Sequence, residues 1–223
     1  MGLDHDLTGF VQRVFACPAE TASAIALRAT ERVYAAQAVI LRAGDRPSDT
    51  WLVMAGRAQA LVYGAEGQLV MLQEYASGDL FGAIANLDAG PQAAEIKAVE
   101  TLRAALFLGA DFLTLIETHT AVGLAVSRLL LRQLSETTGR MADRITLSAP
   151  DRVRAELLRM AVEVERRLVI DPFTGVTALG IKLSIARETV SRAINDLERR
   201  GAVRREGRAL IIISPRLLRA DFV

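Results

Sequence analysis

Cysteine is almost missing from this 223-residue chain. Cys17 stands alone, which excludes an internal disulfide and any four-cysteine zinc or iron–sulfur site made within one chain. A lone thiol suits a reducing compartment. Histidine is as scarce, with only His5 and His119. The chain also has no nucleophile–base constellation and no G-x-x-x-x-G-K-[ST] phosphate loop, so an enzyme is not expected. No uncharged stretch exceeds about ten residues, short of the ~20 that cross a bilayer. Met1-Gly2-Leu3-Asp4-His5-Asp6 is acidic and lacks the basic start of a signal peptide. These absences predict a cytoplasmic protein with no membrane partner. There is no internal repeat and no low-complexity tract.

Lysine is nearly absent too, so almost every cation is an arginine, the better bidentate donor. The net charge of +1 hides a division. Residues 1–147 hold 12 Lys+Arg against 16 Asp+Glu, net −4, and residues 148–223 hold 15 against 10, net +5. The length allows two modest domains, each with a core. An acidic front and a basic rear fit one domain that meets phosphates and another that does not.

The patterning follows the same division. Residues 1–30 read as a leader with a helix from about Pro18 to Ala29. Apolar runs then follow at Val33–Leu41, Trp51–Met54, Ala58–Tyr63, Leu69–Gln73, Glu95–Val99 and Arg103–Leu108, with glycines between them. Short strands punctuated by glycine turns predict a β-roll or barrel, with a short helix around Gly82–Leu87. From about Asp111 the spacing turns helical. Val122, Val126, Leu129, Leu130, Leu134, Met141 and Ile145 form a stripe on a helix of some 25 residues. That is more apolar surface than one β-roll uses, and a second copy of the same helix is the natural partner. Ser148-Ala149-Pro150-Asp151 stops this helix and caps the next, expected from Arg152 to about Arg167 with Val153, Leu157, Leu158, Met160 and Ala161 inward.

The most telling residues come near the end: Arg187-Glu188-Thr189-Val190-Ser191-Arg192. At about 3.6 residues per turn, Arg187, Glu188, Ser191, Arg192 and Asn195 share one arc of a helix. Val190, Ala193, Ile194 and Leu197 take the other. Arginine forks match guanine O6 and N7, and glutamate accepts from cytosine N4. Upstream, Val176 to Leu183 gives a short helix and Ser184-Ile185-Ala186 a tight turn. Downstream, Gly201 ends the helix, and Ala202–Arg205 and Ala209–Ile213 flank a Glu206-Gly207 hairpin. Helix, turn, helix and wing together form a winged helix-turn-helix.

This string resembles the recognition helix of the cAMP receptor protein/FNR (CRP/FNR) family of bacterial transcription regulators. A second match, Gly78-Asp79-Leu80-Phe81-Gly82 continuing through Ile84 and Leu87 to Gly90-Pro91, resembles the end of the family's effector domain. The resemblance covers nearly the whole chain. It implies an α+β fold with three parts. Residues 1–110 form a double-stranded β-helix of the jelly-roll-like, cyclic-nucleotide-binding type, 111–148 a dimerisation helix, and 149–223 a winged helix-turn-helix. It also implies a homodimer on a palindromic double-stranded DNA site, with RNA polymerase as a further partner. Arg187 and Arg192 would each read a guanine and Glu188 a cytosine, giving GTG-like half-sites, with Ser191 on phosphate. Arg204, Arg205 and Arg208 would position without specifying. Where the family caps this helix with Ser or Thr, the chain has Ala186. An absent cap costs ~1 kcal/mol unless Ser184 substitutes.

The implied effector pocket is Gly82, Ala83, Ile84, Gln92, Ala93, Thr137 and Thr138. Cyclic-nucleotide-binding members place glutamate after the second glycine, and arginine then a hydroxyl residue after the proline. Here those positions are Ala83, Gln92 and Ala93. A buried phosphate without charged, hydrogen-bonded partners keeps most of its desolvation penalty, so cAMP and cGMP are not expected to bind in the usual way. Thr137-Thr138 stands where such proteins set hydroxyls against adenine. No cofactor is expected. An iron–sulfur cluster lacks its cysteines, and haem would have to use His5, His119, Cys17 or Met71. The rival to a DNA-reading regulator is a sensor of haem or an apolar effector, or a protein-interaction module whose winged helix no longer reads DNA.

Overall fold

The computed structural model describes residues 7–64, 67, 69–83 and 90–219. Two compact units emerge, one from Met1–Tyr63 with Leu72–Thr137, the other from Gly64–Met71 with Thr138–Val223.

In the first unit, eight short strands make two four-stranded antiparallel sheets. One sheet runs β1 (Ala29–Tyr34), β8 (Leu102–Phe107), β3 (Thr50–Ala55), β6 (Leu80–Gly82). The other runs β2 (Val39–Leu41), β7 (Glu95–Ala98), β4 (Ala58–Tyr63), β5 (Leu69–Tyr75). The period-2 pattern of β3 explains the layering. Trp51 and Val53 enter the roll interior with Phe81, Ile96 and Leu102. Leu52 and Met54 face the opposite way, into a core shared with α1 (Leu7–Phe15), α2 (Ala19–Ala26), α3 (Gly109–Thr118) and α4 (Thr120–Thr146). The first sheet is thus covered on both faces, which is why Thr50–Met54 is buried without a break. Inside the roll Trp51 stacks on Phe81 at 5.5 Å, and the Trp51 indole donates to the Tyr34 hydroxyl at 2.8 Å.

Several expectations shift. The leader holds two helices where one is expected, and the added α1 sends Val11 and Phe15 into the core. The Val33–Leu41 run splits into β1 and β2. The helical region breaks at His119 between α3 and α4. The short helix expected around Gly82–Leu87 falls mostly on residues 84–89, outside the described residues. The stripe on the 27-residue α4 divides. Val122, Val126 and Leu129 pack into the first unit's own core, while Leu134, Met141 and Ile145 are 63 %, 64 % and 75 % exposed.

In the second unit, the helix expected from Arg152 to Arg167 ends early. Here α5 is Ala149–Met160, started by the Ser148 hydroxyl accepting from the Asp151 N–H at 3.4 Å. A hairpin of β9 (Val162–Val164) and β10 (Arg167–Ile170) follows. Its turn residues Glu165 and Arg166 have φ of 49° and 65°, a left-handed pair normally built from Asn and Gly. Alternating β-branched residues override helix propensity here. The hairpin extends the wing into a four-stranded sheet of order β11 (Val203–Glu206), β12 (Ala209–Ile212), β10, β9. Between these strands lie α6 (Gly175–Leu183) and α7 (Arg187–Arg199), and α8 (Pro215–Arg219) follows them.

Candidate nucleic-acid interface and effector site

The α6–turn–α7 corner is set by close backbone approach. The Ile185 N–H donates to the Gly180 carbonyl at 2.9 Å. A Cβ at Gly180 would lie 2.8 Å from the Ile185 carbonyl oxygen, so this corner needs glycine. Ser184 completes the turn with φ of 53°, and its hydroxyl accepts from Arg144 at 3.0 Å. It therefore closes α6 and does not cap α7. No side chain caps α7, and the helix nevertheless begins at Arg187, with the Ala186 carbonyl accepting from the Thr189 and Val190 N–H groups. Gly201, with φ of 67°, ends it.

Val190, Ile194 and Leu197 bury the back of α7 among Val153, Leu157, Leu179, Leu183 and Leu210. Arg187, Glu188, Arg192 and Asn195 stand on the other side, away from that core, with Ser191 half-buried beside them. Among the described residues neither Arg187 nor Glu188 has a side-chain partner, and Arg192 donates only to the Thr189 hydroxyl, at 3.2 Å. These residues are thus brought onto one rigid, open face whose donors are available to a ligand.

The wing differs. Arg204 pairs with Glu206, Arg205 with Glu198 at 3.1 Å and Arg208 with Asp171 at 3.0 Å. Each expected phosphate contact starts from an occupied guanidinium. Sequence reasoning missed a groove of about 760 Å³ beside the face, lined by Pro150, Arg154, Thr189, Arg192, Asn195 and Arg199. Arg154 and Arg199 bind Asp151 and Asp196, both at 3.0 Å. The one available signal was the helical spacing of Arg199 from Arg192.

The residues expected to form an effector pocket are placed as follows. Gly82 has φ of 94°, and a Cβ there would lie 2.5 Å from the Asp49 carbonyl and 2.6 Å from the Trp51 ring. Ala83 is buried. Its N–H donates to the Asp49 carbonyl at 3.0 Å and its carbonyl accepts from buried Thr50 Oγ1 at 3.1 Å. Gln92 exchanges backbone bonds with Asp45 and Gly44, at 2.7 and 2.8 Å. Ala83 and Gln92 are therefore tied to opposite ends of one loop, residues 44–49. Ala93 is exposed, as are Thr137 and Thr138. The Thr137 hydroxyl donates to Gln73 Oε1 at 3.3 Å. Ile84 lies outside the described residues. Tyr75, packed on Phe81 at 5.3 Å, has its hydroxyl pushed up to about 12 by burial and then by Asp79, so it stays a neutral donor.

Of the haem donors considered, Cys17 is buried in the helix-covered core and desolvation pushes its thiol up, away from the thiolate a metal needs. Met71 is buried, His119 closes α3, and His5 lies outside the described residues. No group of three or more His, Cys, Asp or Glu able to hold a metal ion occurs among the described residues, and no described helix is long and apolar enough to cross a membrane.

The family model for the cyclic nucleotide-binding domain matches residues 31–119. A CRP-like cAMP-activated global transcriptional regulator from Mycobacterium tuberculosis is 25 % identical over 173 residues, covering 76 % of either chain. Residues 31–119 therefore match a cyclic nucleotide-binding domain, and the chain over most of its length is similar to transcription regulators of the CRP/FNR type. Solved structures agree on the fold. A mutant of CooA from Carboxydothermus hydrogenoformans has a TM-score of 0.77 at 18 % identity, over 88 % of this chain and 89 % of that one. The c-di-GMP responsive regulator CLP from Xanthomonas campestris has 0.74 at 16 %, over 87 % and 99 %. The α+β architecture, a cyclic-nucleotide-binding-type β domain with long α4 and a winged C-terminal region, is that of CRP structures, and the family is not one of enzymes.

Proposed function

We propose that this chain is a sequence-specific regulator that reads palindromic DNA with GTG-like half-sites as a homodimer, without control by cAMP. The observation that carries this reading is the open face of α7: Arg187, Glu188 and Arg192 stand free of charged partners over a back fully committed to the core. Regulators of this family bind DNA as dimers. The exposed Leu134, Met141 and Ile145 on α4 offer a seam for a second copy. Two α7 helices would then enter successive major grooves about 34 Å apart. Arg187 and Arg192 would take guanines, Glu188 a cytosine and Ser191 a phosphate. Residues 1–110 would form the effector-type domain, 111–148 the dimerisation helix and 149–223 the DNA-binding domain, acting in the cytoplasm with RNA polymerase as the downstream partner.

Independence from cAMP rests on Ala83 and Gln92, whose backbone groups are already bonded to residues 44–50 and whose side chains bring no charge to a cyclic phosphate. The inputs of two relatives fit this. The tuberculosis regulator is called cAMP-activated and CLP c-di-GMP responsive, so the fold accommodates more than one input. Buried Cys17, held as a neutral thiol, argues against haem through that residue. The competing reading, a sensor or interaction module with a silent winged helix, would call for a blocked or acid-paired α7 face.

Fluorescence anisotropy with a palindromic GTG-containing duplex and no effector tests the reading. Tight binding that needs the GTG element is expected; equal affinity for scrambled duplex would sink it. A thermal-shift titration with cAMP should leave the melting temperature unmoved, and a large saturable rise would show the pocket to be functional.

A further inference from the structure

The first unit holds a cavity outside its roll. It measures about 310 Å³ and lies between the last turn of α1, the turn before β6 and the middle of α4. Leu80 in its wall belongs to the helix-covered core, while the next residue, Phe81, points into the roll. The cavity is thus on the opposite face of the first sheet from the roll interior.

Helical spacing builds one side of it. Ala125, Arg128, Leu129 and Arg132 stand at i, i+3, i+4 and i+7 on α4 and share one face. Small Ala125 and apolar Leu129 form the floor, with Val14 and Phe15 of α1 opposite. A Cβ at Gly78 would sit 3.9 Å from Val14 Cγ2, so the turn before β6 closes in against α1.

Arg128 and Arg132 supply the charge. They are one helical turn apart, where like charges repel. A single acid serves the pair: Asp79 holds Arg132 and also accepts from the Ala76 N–H at 2.8 Å. Arg128 is exposed, and its side chain has no partner among the described residues. One fixed and one free guanidinium therefore flank a hollow with an apolar floor. Guanidinium forks match a carboxylate, and carbon walls match its body. A volume at the low end of the range for ligand sites restricts that body to a single ring or a short chain. Counting about 100° per residue, Arg128 and Arg132 lie about 120° and 160° round α4 from Leu134, so a second copy seated on Leu134 leaves this face uncovered.

We propose that this cavity binds a small organic carboxylate, with Arg128 and Arg132 on the carboxylate and the apolar walls on its body. It gives the first unit a ligand site outside the roll, whatever the chain does with DNA. The end of α1 offers the arginines another task, since cations favour a helix C-terminus.

The test uses the full-length protein at fixed ionic strength, with sodium benzoate replacing sodium chloride. A saturable rise in Tm is expected. Benzyl alcohol, the ring without the charge, and inorganic phosphate, the charge without the ring, should each bind about tenfold more weakly or worse. Arg128→Gln weakens the apparent benzoate affinity roughly tenfold or more, the scale of a charged hydrogen bond. Ala125→Leu fills the hollow and removes the response with both arginines in place; if it fails to fold, the exposed Arg128 variant still decides. Arg192→Ala keeps the response, which separates this cavity from the α7 face. The proposal is overturned by no response to benzoate, or by an equal one to benzyl alcohol or phosphate. A full response in Arg128→Gln or in folded Ala125→Leu, or its loss in Arg192→Ala, overturns it too. A full response in Arg128→Gln joined to a lower Tm of the free variant would assign Arg128 to the end of α1 alone.

Discussion

The lip of the β-roll and the face of α7 treat polar groups in opposite ways. Around the lip, Ala83 and Gln92 spend their backbone bonds on residues 44–50, and their side chains carry no charge. On α7, the fold buries the back of the helix and leaves Arg187, Glu188 and Arg192 on its front without charged partners. A site prepared for a charged ligand keeps its charges available, and a site closed to one satisfies them internally or omits them. The wing is a control inside the same unit. It is as rich in arginine as α7, yet Arg204, Arg205 and Arg208 each hold a carboxylate.

The largest effect should come from breaking the open side of this comparison. Arg192→Ala is expected to cost ~1–3 kcal/mol per half-site, so about 2–6 kcal/mol for a dimer on its palindrome, and to relax specificity at one base. Arg204→Ala in the wing should cost under about 0.5 kcal/mol, since its paired, exposed charge has little to lose. Titrations of both variants against intact and GTG-altered duplexes decide the matter. Equal losses would mean that acid pairing does not separate readers from bystanders.

The roll side of the comparison can be broken at Gly82. With φ of 94° and a Cβ that would sit 2.5 Å from the Asp49 carbonyl, Gly82→Ala combines backbone strain with overpacking. It should destabilise the first unit by roughly 2–4 kcal/mol by calorimetry while leaving α7 intact. Within the second unit, Glu156→Gln weakens two ion pairs to a nearly buried carboxylate and should cost about 1–3 kcal/mol. A neutral result in denaturant unfolding would show Glu156, Arg159 and Lys182 to be a balanced network that can lose its acid.

Much of the fold could be read from periodicity. β3 alternates cleanly between two cores, and α7 carries a strong polar–apolar division, so the roll and α7 follow from residue order alone. The Val162–Ile170 hairpin did not, because its turn uses Glu165 and Arg166 in left-handed conformations with no glycine to announce it. The break at His119 likewise has no proline or glycine beside it. At the site, the arginines of α7 were legible as one arc, but the pairing of wing arginines with Glu198 and Asp171 was not. Those partners lie on other elements, and sequence spacing carries no record of them. The Glu156 cluster was hidden for the same reason: α4, α5 and α6 meet only in three dimensions.

The smallest effect concerns Ser184, where the turn before α7 adopts φ of 53° in a residue with a Cβ. Left-handed backbone costs a non-glycine residue about 1–2 kcal/mol. The Arg144 bond to its hydroxyl offsets part of that, but between exposed groups a hydrogen bond returns little. Ser184→Gly relieves the strain and loses the bond, so its stability should stay within about 0.5 kcal/mol of the parent. Ser184→Ala loses the bond and keeps the strain. The two variants lack the same hydroxyl, so the difference between them isolates the backbone: Gly should exceed Ala by about 1 kcal/mol in urea unfolding. Equal midpoints would mean that the turn can relax out of the left-handed region, and that the start of α7 is held by the Gly180–Ile185 contact alone.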